Sequence, residues 1–386
     1  MPWTLPNPES YKGREQTYVK HVFLDRYLER VALVTLASGG WTDFVFVDGY
    51  SGPWQAQGEK SEDTSVSIAL TKLRVVRQAL QGIGRETRTS ALFVERNPSA
   101  FAELQNLLGS FPDSNTQSIN GEFHQHVDDV VKFIGPAFSL TFIDPTGWNI
   151  DLVALRPLLE GRGEVLINFM YDFVNRQVDN PDPNIQAQLT LAFGGEGWKQ
   201  EIQQRIAAGV PRETAILDVF MLRLKAMGKY PHVTYTAILK PLSERTYFHL
   251  VYATRHWRGL EEFRKVEADA MEVQERIRFD VRQNVRAQRS GMPDMFAASS
   301  DDSGSRRLEE RRQLNLDRAR AEVESLLLSR SQFAAHEVWA IAMAIPLVTI
   351  KDAKRILIAL VNAGRLRVEL RDRQRVPSAD TIVHVA

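Results

Sequence analysis

Short, uninterrupted runs of apolar residues alternate in the first half of the chain with longer segments whose apolar positions recur every three or four residues. The short runs are typical of strands buried on both faces of a parallel sheet, and the longer segments are typical of helices. Strands are predicted at residues 44–47, 91–94, 117–121, 138–143 and 164–169. Helices are predicted at residues 18–38, 65–79, 99–108 and 127–133. The alternation predicts βαβ units with right-handed crossovers, and so a Rossmann-like α/β sheet that is mostly parallel.

The pattern changes after Met170. Residues of about 175–230 are predicted to be a helical insertion between sheet strands, with a Pro-rich entry and a break at Gly-Gly-Glu-Gly-Trp. Residues 233–239 and 247–254 are two further strand candidates. The connection between them is too short for a helical crossover and suits a hairpin. The sheet is therefore expected to finish with an antiparallel edge strand.

The last third of the chain predicts a second domain. Residues 290–305 contain too little apolar surface to order themselves and are interpreted as a flexible linker. Helices are then predicted at 308–327, 334–344 and 350–362, and paired strands at 365–370 and 381–385. Three helices followed by a two-stranded wing are typical of a winged-helix domain. The predicted domains are residues 1–265, a helix and linker at 266–306, and a winged-helix-like domain at 307–386.

Composition narrows the possible functions. The 386 residues suffice for two or three domains, and the formal net charge is zero, so nucleic-acid binding would require a local basic patch. The chain contains no Cys, which excludes disulfides, thiolate metal sites and cysteine nucleophiles. His124 and His126 have the spacing of a ligand pair, but nothing completes the set, and no metal is predicted. With no apolar run of 18 residues and no leader-like N-terminus, a cytoplasmic protein is expected.

Three predicted strands end in an acid: Asp48, Glu95 and Asp144. Nucleotide-like ligands bind at the carboxyl ends of the strands in open α/β sheets, where Gly49 and Gly52 would let the backbone approach a ligand closely. A dinucleotide is less well served, because the three-glycine spacing is absent and Glu95 lies 47 residues after Asp48 instead of about 20. The acids together favour S-adenosylmethionine.

Each of these residues also has a purely structural interpretation. The turn after Asp48 could bind nothing. Glu95 could cap a helix or pair with Arg96, and Asp144 could cap a helix while Trp148 packs into the core. If Trp148 is accessible, its indole could instead stack on a flipped base or another planar substrate.

Several motifs resemble those of the three-Cys-motif partner proteins, a bacterial and phage family with a class I methyltransferase-like fold. They are Asp-Gly-Tyr-Ser-Gly-Pro at 48–53, Glu-Arg-Asn at 95–97, Gly-Glu-Phe at 121–123, Phe-Ile-Asp-Pro at 142–145 and the segment at 247–256. The resemblance covers roughly residues 15–265. It implies a methyltransferase that works beside a three-Cys-motif protein, with this Cys-free chain as the partner.

The resemblance also implies roles for individual residues. Asp48 and Gly52 would face the methionine part of S-adenosylmethionine, Glu95 the ribose, and Glu122 with Phe123 the adenine. The full cofactor-binding set is Asp48, Gly49, Tyr50, Ser51, Gly52, Pro53, Glu95, Glu122 and Phe123. The methyl-transfer site would comprise Asp144, Pro145 and Trp148.

Two departures from the usual pattern bear on activity. Related methyltransferases have a small residue after Gly-Pro, where this chain has Trp54, and an indole that filled the turn would make the chain a non-catalytic subunit. The stretch Asp-Pro-Thr-Gly-Trp lacks the second Pro of the amino-methyltransferases. Methylation of a base nitrogen is the leading hypothesis for the reaction.

Basic residues cluster in the predicted winged helix, where phosphate contacts would be expected. They include the predicted nucleic-acid-binding set Lys351, Lys354, Arg355, Arg365, Arg367 and Arg373, with Arg371 and Arg375 beside them. A protein-interaction domain of the same fold, or a DNA-binding regulator with a degenerate enzyme domain, are the alternatives.

Overall fold

The computed structural model describes residues 8–52, 64–145, 147–290, 297–369 and 377–386. The chain divides into two compact units. The first comprises Met1–Val233 with Ala237–Arg255, and the second comprises Thr234–Thr236 with His256–Ala386. No helix in the described part of the chain combines the length and the apolar composition that crossing a bilayer requires.

A seven-stranded mixed sheet is the centre of the first unit. Its strands are β1 (Asp43–Asp48), β2 (Arg88–Glu95), β3 (Asn115–Asn120), β4 (Phe138–Ile143), β5 (Glu164–Phe169), β6 (His232–Leu239) and β7 (Thr246–Thr254). Their order is β3-β2-β1-β4-β5-β7-β6, with β1 to β5 parallel to one another and β7 antiparallel to β5. The predicted α/β fold class with an antiparallel edge is confirmed.

Nine helices of the first unit lie in the described residues. They are α1 (Glu15–Ala37), α2 (Ser65–Gly82), α3 (Pro98–Gly109), α4 (Val127–Ile134), α5 (Arg156–Leu159), α6 (Tyr171–Gln177), α7 (Pro183–Ala192), α8 (Trp198–Ala207) and α9 (Arg212–Gly228). Three of them have side-chain N-caps, because Thr64 accepts from the backbone of Ser67 in α2, Asn97 accepts from two backbone groups in α3, and Asp182 accepts from the backbone of Asn184 in α7. The segment predicted as a helical insertion contains α7, α8 and α9 and the last three residues of α6.

The strand order reverses on either side of β1, which has β2 on one side and β4 on the other. Crossovers leave such a point in opposite directions, so a crevice opens beyond the carboxyl ends of the strands. The apolar side chains of β1 and β4 are almost completely buried, because helices cover the sheet. The polar groups that these strands can offer to a ligand in the crevice are therefore those at the strand ends.

A buried carboxylate fixes α1 against the sheet. Glu164, at the start of β5, accepts hydrogen bonds from the Tyr27 hydroxyl of α1 at 2.9 Å and from the Thr254 hydroxyl of β7 at 2.7 Å. Burial raises the pKa of Glu164, because a low-dielectric environment disfavours its charged form. These contacts fix the position of α1, which also carries Lys20, relative to the sheet.

Helices and a small antiparallel sheet form the second unit. Its elements are α10 (Trp257–Ser290), α11 (Ala297–Leu327), β8 (Gln332–Ala334), α12 (Ala335–Met343), α13 (Ile350–Asn362), β9 (Leu366–Val368) and β10 (Ile382–Val385). The three strands have the order β8-β10-β9. Sequence patterns did not predict β8, which is only three residues long. The winged-helix assignment of this domain stays a prediction.

Two predicted boundaries in this region differ from the structure. Residue 265 lies inside α10, and residues 297–305 of the predicted linker lie in α11, so the prediction of an irregular linker was wrong for them. Packing explains the second error. A Cβ at Gly304 would lie 3.8 Å from the Cβ of Glu275 in α10, and Glu275 is bonded to Arg311 of α11 at 2.5 Å. Contacts with a neighbouring helix order a segment whose composition alone would not.

Candidate functional site

A cavity of about 380 Å³ opens at the carboxyl ends of β1, β2 and β3. Six residues that the sequence assigned to cofactor binding line it: Gly49, Tyr50, Gly52, Glu95, Glu122 and Phe123. Val94, Arg96, Asn97, Gly121 and Asn149 complete its lining. Residues from segments far apart in the chain therefore meet at the edge where open α/β sheets bind ligands.

Another cavity, of about 390 Å³, lies at the opposite edge of the sheet. It is lined by Thr42, Gln81, Glu86, Thr87 and three arginines, with Arg88 paired to Asp43. This is the amino edge of β1 and β2, and none of the predicted site residues lies there. The carboxyl-edge cavity is the better candidate, because it combines strand-end acids with glycine turns.

Two glycines shape the floor of the carboxyl-edge cavity. A Cβ at Gly49 would lie 2.6 Å from the Cδ1 atom of Phe123, and a Cβ at Gly52 would overlap the carboxylate of Glu95. Real Cβ atoms do not approach a buried ring so closely, so position 49 requires a residue without a side chain, whereas a Cβ at position 52 would displace the end of the Glu95 side chain. The turn after β1 thereby comes into direct contact with Phe123 and with the acid at the end of β2.

Glu95 occupies the end of β2 and is 6% exposed. Its Oε1 atom accepts a hydrogen bond from the backbone N–H of Asn97 at 2.5 Å, which orients the carboxylate. Its Oε2 atom is the one nearest to Gly52. The side chain is therefore held at the cavity, in the position of an acid that accepts hydrogen bonds from the two hydroxyls of a ribose. The alternative role as a helix cap belongs to Asn97 instead.

Glu122 and Phe123 begin the short 3₁₀ helix Phe123–Gln125, which follows β3. Phe123 is buried, and its ring packs edge-to-face on Tyr50 with a centroid distance of 5.8 Å. Arg96 pairs with Glu122 at 3.3 Å across the cavity lining. The Tyr50 hydroxyl donates to the backbone oxygen of Asn149 at 2.7 Å, which joins the turn after β1 to the loop after β4.

Asp48 is fully buried and is engaged within the turn that follows β1. Its Oδ1 atom accepts from the backbone N–H of Tyr50 at 3.0 Å, and its Oδ2 atom accepts from the Ser65 hydroxyl at 2.8 Å. Burial raises the pKa of Asp48 to about 6, and the negative charge of Asp144 contributes to the increase. Ser51 is also fully buried, and it donates to the backbone oxygen of Asp48 at 3.0 Å. Both residues organise the turn from behind, and neither is among the residues that line the cavity.

Asp144 follows β4 and lies in a polar cluster that the sequence did not reveal. Its Oδ2 atom forms an ion pair with the Nζ atom of Lys20 in α1. Its Oδ1 atom accepts from the Nδ2 atom of Asn168, in β5, at 2.6 Å. The hypothesis that Asp144 caps a helix finds no support in its contacts among the described residues, because its recorded partners are these two side chains.

Trp148 lies on an aromatic neighbour in the loop after β4. Its ring centroid is 4.3 Å from that of Phe173 in α6, and its Nε1 atom donates to Gln188 of α7 at 2.9 Å. The guanidinium of Arg176 lies over the Phe173 ring, 5.5 Å from its centroid. Trp148 is only partly buried, so it does not pack into the core as the structural interpretation required. Pro145 is buried beside Asp144.

Some predicted positions lie outside the described residues. Pro53 and Trp54 fall in the interval 53–63, and Arg373 in the interval 370–376. The hypothesis that the Trp54 indole fills the cofactor turn therefore stays a prediction.

Other site residues were missed, and one of them had a signal. Asn168 is the only amide in the otherwise apolar run Val-Leu-Ile-Asn-Phe of β5, and a polar residue in a buried strand points to a specific partner. Lys20 had no local signal, because its partner lies 124 residues away. Among the described residues, no group of three potential metal ligands converges, and His126 is paired with Asp129 at 3.1 Å.

Of the basic residues predicted to bind nucleic acid, the five that lie in the described part of the chain are on α13, on β9 or between them. Lys351, Arg355, Arg365 and Arg367 are exposed, while the ammonium of Lys354 lies 4.9 Å from the Trp339 ring centroid. Arg365 is paired with Glu324 at 2.9 Å. The exposed face of α13 thus presents Lys351 and Arg355, about one helical turn apart.

Comparisons with known proteins found distant structural likenesses. No protein-family model matches the sequence, and no curated protein does. A Legionella pneumophila protein of the family DUF519 is similar in structure at 10% identity, over 61% of this chain and 85% of that chain, with a TM-score of 0.33. The cofactor-bound protein Rv0187 from MTB has 12% identity over 59% of this chain and 79% of that chain, with a TM-score of 0.29.

A loganic acid methyltransferase solved with SAH is similar at 8% identity, over 67% of this chain and 83% of that chain, with a TM-score of 0.27. Likenesses at these identities and TM-scores add nothing to what the strand order and the residues at the strand ends establish. The functional argument rests on this chain's own site.

Proposed function

We propose that the first unit binds S-adenosylmethionine in the carboxyl-edge cavity and transfers its methyl group to a nucleic acid. The observation that carries the proposal is Glu95. Its carboxylate is held at the end of β2 against the turn at Gly52, where a Cβ would displace it. An acid in this position recognises a ribose, and the single acid without a three-glycine turn suits an adenosyl group better than a dinucleotide.

The other cavity residues fit the same ligand. Phe123 and Tyr50 offer aromatic surface to an adenine, and Glu122 offers a carboxylate to its amino group. Asp48 lies behind the turn that would meet the methionine part, and its negative charge would favour an ammonium group there without lining the cavity. When bound, S-adenosylmethionine supplies an electrophilic methyl group. Asp144 and its neighbours would hold the acceptor, and Trp148 would give it a planar surface.

The first test is cofactor binding to the full-length protein, measured by calorimetry. Glu95→Gln keeps the shape of the side chain but weakens its acceptance of ribose hydroxyls, so the Kd for S-adenosylmethionine is expected to rise about 10-fold to 100-fold. Glu86→Gln, at an exposed position on the opposite edge of the sheet, should leave the Kd unchanged. Equal affinities for wild type and Glu95→Gln would contradict the proposed pocket.

The second unit is proposed to hold the nucleic acid. Replacement of both Lys351 and Arg355 by Ala is expected to weaken binding of the full-length protein to a labelled duplex. The slope of log K against log salt should become shallower by about two, because two phosphate contacts are lost. Arg306→Ala, at an exposed position on α11, is the control. An unchanged slope in the double variant would argue for a protein-interaction surface instead.

The resemblance to the three-Cys-motif partner proteins adds a proposed partner. A three-Cys-motif protein would supply the cysteines that this chain lacks. Co-purification of the two proteins, followed by a comparison of methyl transfer with and without the partner, tests whether turnover depends on it.

A further inference from the structure

Lys20 and Asp144 form an ion pair, and the proposed function assigns a role to its carboxylate but none to its ammonium. Their side chains are only 11% and 18% exposed. Asn168, which is 3% exposed, donates to the same carboxylate at 2.6 Å. The Oδ1 atom of Asn168 is buried and accepts no hydrogen bond from the residues that the structure describes. Three polar side chains from α1, β5 and the loop after β4 thus converge at the carboxyl edge of the sheet.

Stability does not explain this cluster. Bringing an ammonium and a carboxylate out of water costs about as much free energy as their attraction returns, so a mostly buried ion pair is weak evidence for a structural role. A buried amide oxygen without a partner is a further unfavourable feature. A buried polar group that lacks a partner needs an explanation, and at the edge where an open α/β sheet binds its ligands that explanation is a role towards a substrate.

The hydrogen-bonding capacity of the pair selects one kind of acceptor. An ammonium has three N–H donors, of which Lys20 uses one on Asp144, and it can accept nothing. The exocyclic amine of a base can donate to Asp144 but offers Lys20 no acceptor, and an unprotonated ring nitrogen can accept from Lys20 but has no hydrogen to donate to Asp144. A hydroxyl group is both acceptor and donor. Its oxygen can accept from Lys20 while its hydrogen is donated to Asp144.

We infer that the methyl acceptor at this site is a hydroxyl oxygen, namely the ribose 2′-hydroxyl of an RNA. The inference rests on the proposed function, and it replaces the base nitrogen that the sequence favoured. Every RNA residue carries a 2′-hydroxyl, whereas DNA has none along its chain. A nucleic-acid methyltransferase whose acceptor is a hydroxyl is therefore specific for RNA.

The groups at the site account for each bond that forms or breaks in the methyl transfer and for the proton that is released. The hydroxyl oxygen attacks the methyl carbon, and an O–C bond forms as the C–S bond breaks, with its electron pair passing to sulfur. The hydroxyl proton passes to Asp144 and then to water. Lys20 donates to the oxygen beforehand and positions the Asp144 carboxylate, while Asn168 fixes the second carboxylate oxygen.

The identity of the acceptor is tested with the full-length protein and tritium-labelled S-adenosylmethionine. The probes are random-sequence pools of RNA and DNA of equal length. Label is expected in the RNA pool alone, and nuclease digestion followed by mass spectrometry should recover it as 2′-O-methylnucleosides. Label in base-methylated nucleosides, label in DNA, or no label in RNA while the cofactor is bound would each overturn the assignment.

Variants of Lys20 separate this inference from the proposed function. Lys20→Met should lower kcat on RNA about 100-fold while the Kd for S-adenosylmethionine stays the same, and Lys20→Arg should restore part of the rate by restoring the ion pair. Lys12→Met, at an exposed position before α1, is the matched control, and thermal melting checks the fold. A wild-type rate in Lys20→Met would overturn the inference. Absence of cofactor binding in the wild type would instead overturn the proposed function, and this inference with it.

Discussion

Replacement of Asp144 by Ala is expected to lower kcat for methyl transfer about 1,000-fold while the Kd for S-adenosylmethionine changes less than about threefold. The variant removes the acceptor of both the Lys20 and the Asn168 contacts, and it leaves the ammonium of Lys20 without its counter-charge. Because Asp144 is not among the residues that line the carboxyl-edge cavity, cofactor binding should survive. Single-turnover kinetics together with calorimetry measure the two quantities separately.

Two further variants sharpen this expectation. Asp144→Asn can still accept hydrogen bonds through its oxygen but carries no charge, so its rate should fall between those of Ala and wild type. Asp128→Ala, at an exposed position in α4, should change neither quantity. Equal losses of cofactor affinity and rate in Asp144→Ala would mean that the residue supports the fold of the site and does not contact the acceptor. In that case the proposed division between cofactor cavity and acceptor site would be wrong.

The sequence could predict the parts of this site that have local signals, and it could not predict contacts between residues that are far apart in the chain. The strands and the acids that end them were predictable, because apolar runs and turn residues are local signals and parallel topology brings strand ends to one edge. Gly49, Gly52, Glu95, Glu122 and Phe123 therefore line one cavity, and their role in cofactor binding stays a prediction.

The ion pair between Lys20 and Asp144 could not be predicted in this way. The ion pair depends on how α1 packs across the sheet, and the sequence near each residue contains no signal for its partner. The burial of Asp48 was missed for the opposite reason. Local reasoning placed this acid towards a ligand, whereas tertiary contacts with Ser65 and the backbone of Tyr50 draw the carboxylate into the turn. Side-chain direction at a strand end is a property of the packed structure, so the residue could be chosen from sequence but its contacts could not.

Asp48→Asn is expected to stabilise the protein at pH 8 and to leave its stability nearly unchanged at pH 4. The pKa of Asp48 in the folded protein is about 6, against about 3.9 in an unfolded chain. The folded state thus binds the proton more tightly, so stability is lost as the pH rises from about 4 to about 6. A difference of about two pKa units corresponds to at most about 3 kcal/mol. Urea unfolding at both pH values measures the effect, with Asp128→Asn as the exposed control.

A gain confined to high pH would show that the carboxylate of Asp48 is retained at the expense of stability. Asn can accept from the backbone of Tyr50 and donate to Ser65, so the turn itself does not require the charge. A residue that lowers stability and whose charge the fold does not need is expected to serve binding, where its negative charge favours an ammonium ligand. The same variant should therefore bind S-adenosylmethionine more weakly at pH 8 while unfolding at higher urea. If Asp48→Asn were destabilised equally at pH 4 and pH 8, the carboxylate would be a structural element of the turn, and the methionine part of the ligand would have to be recognised elsewhere.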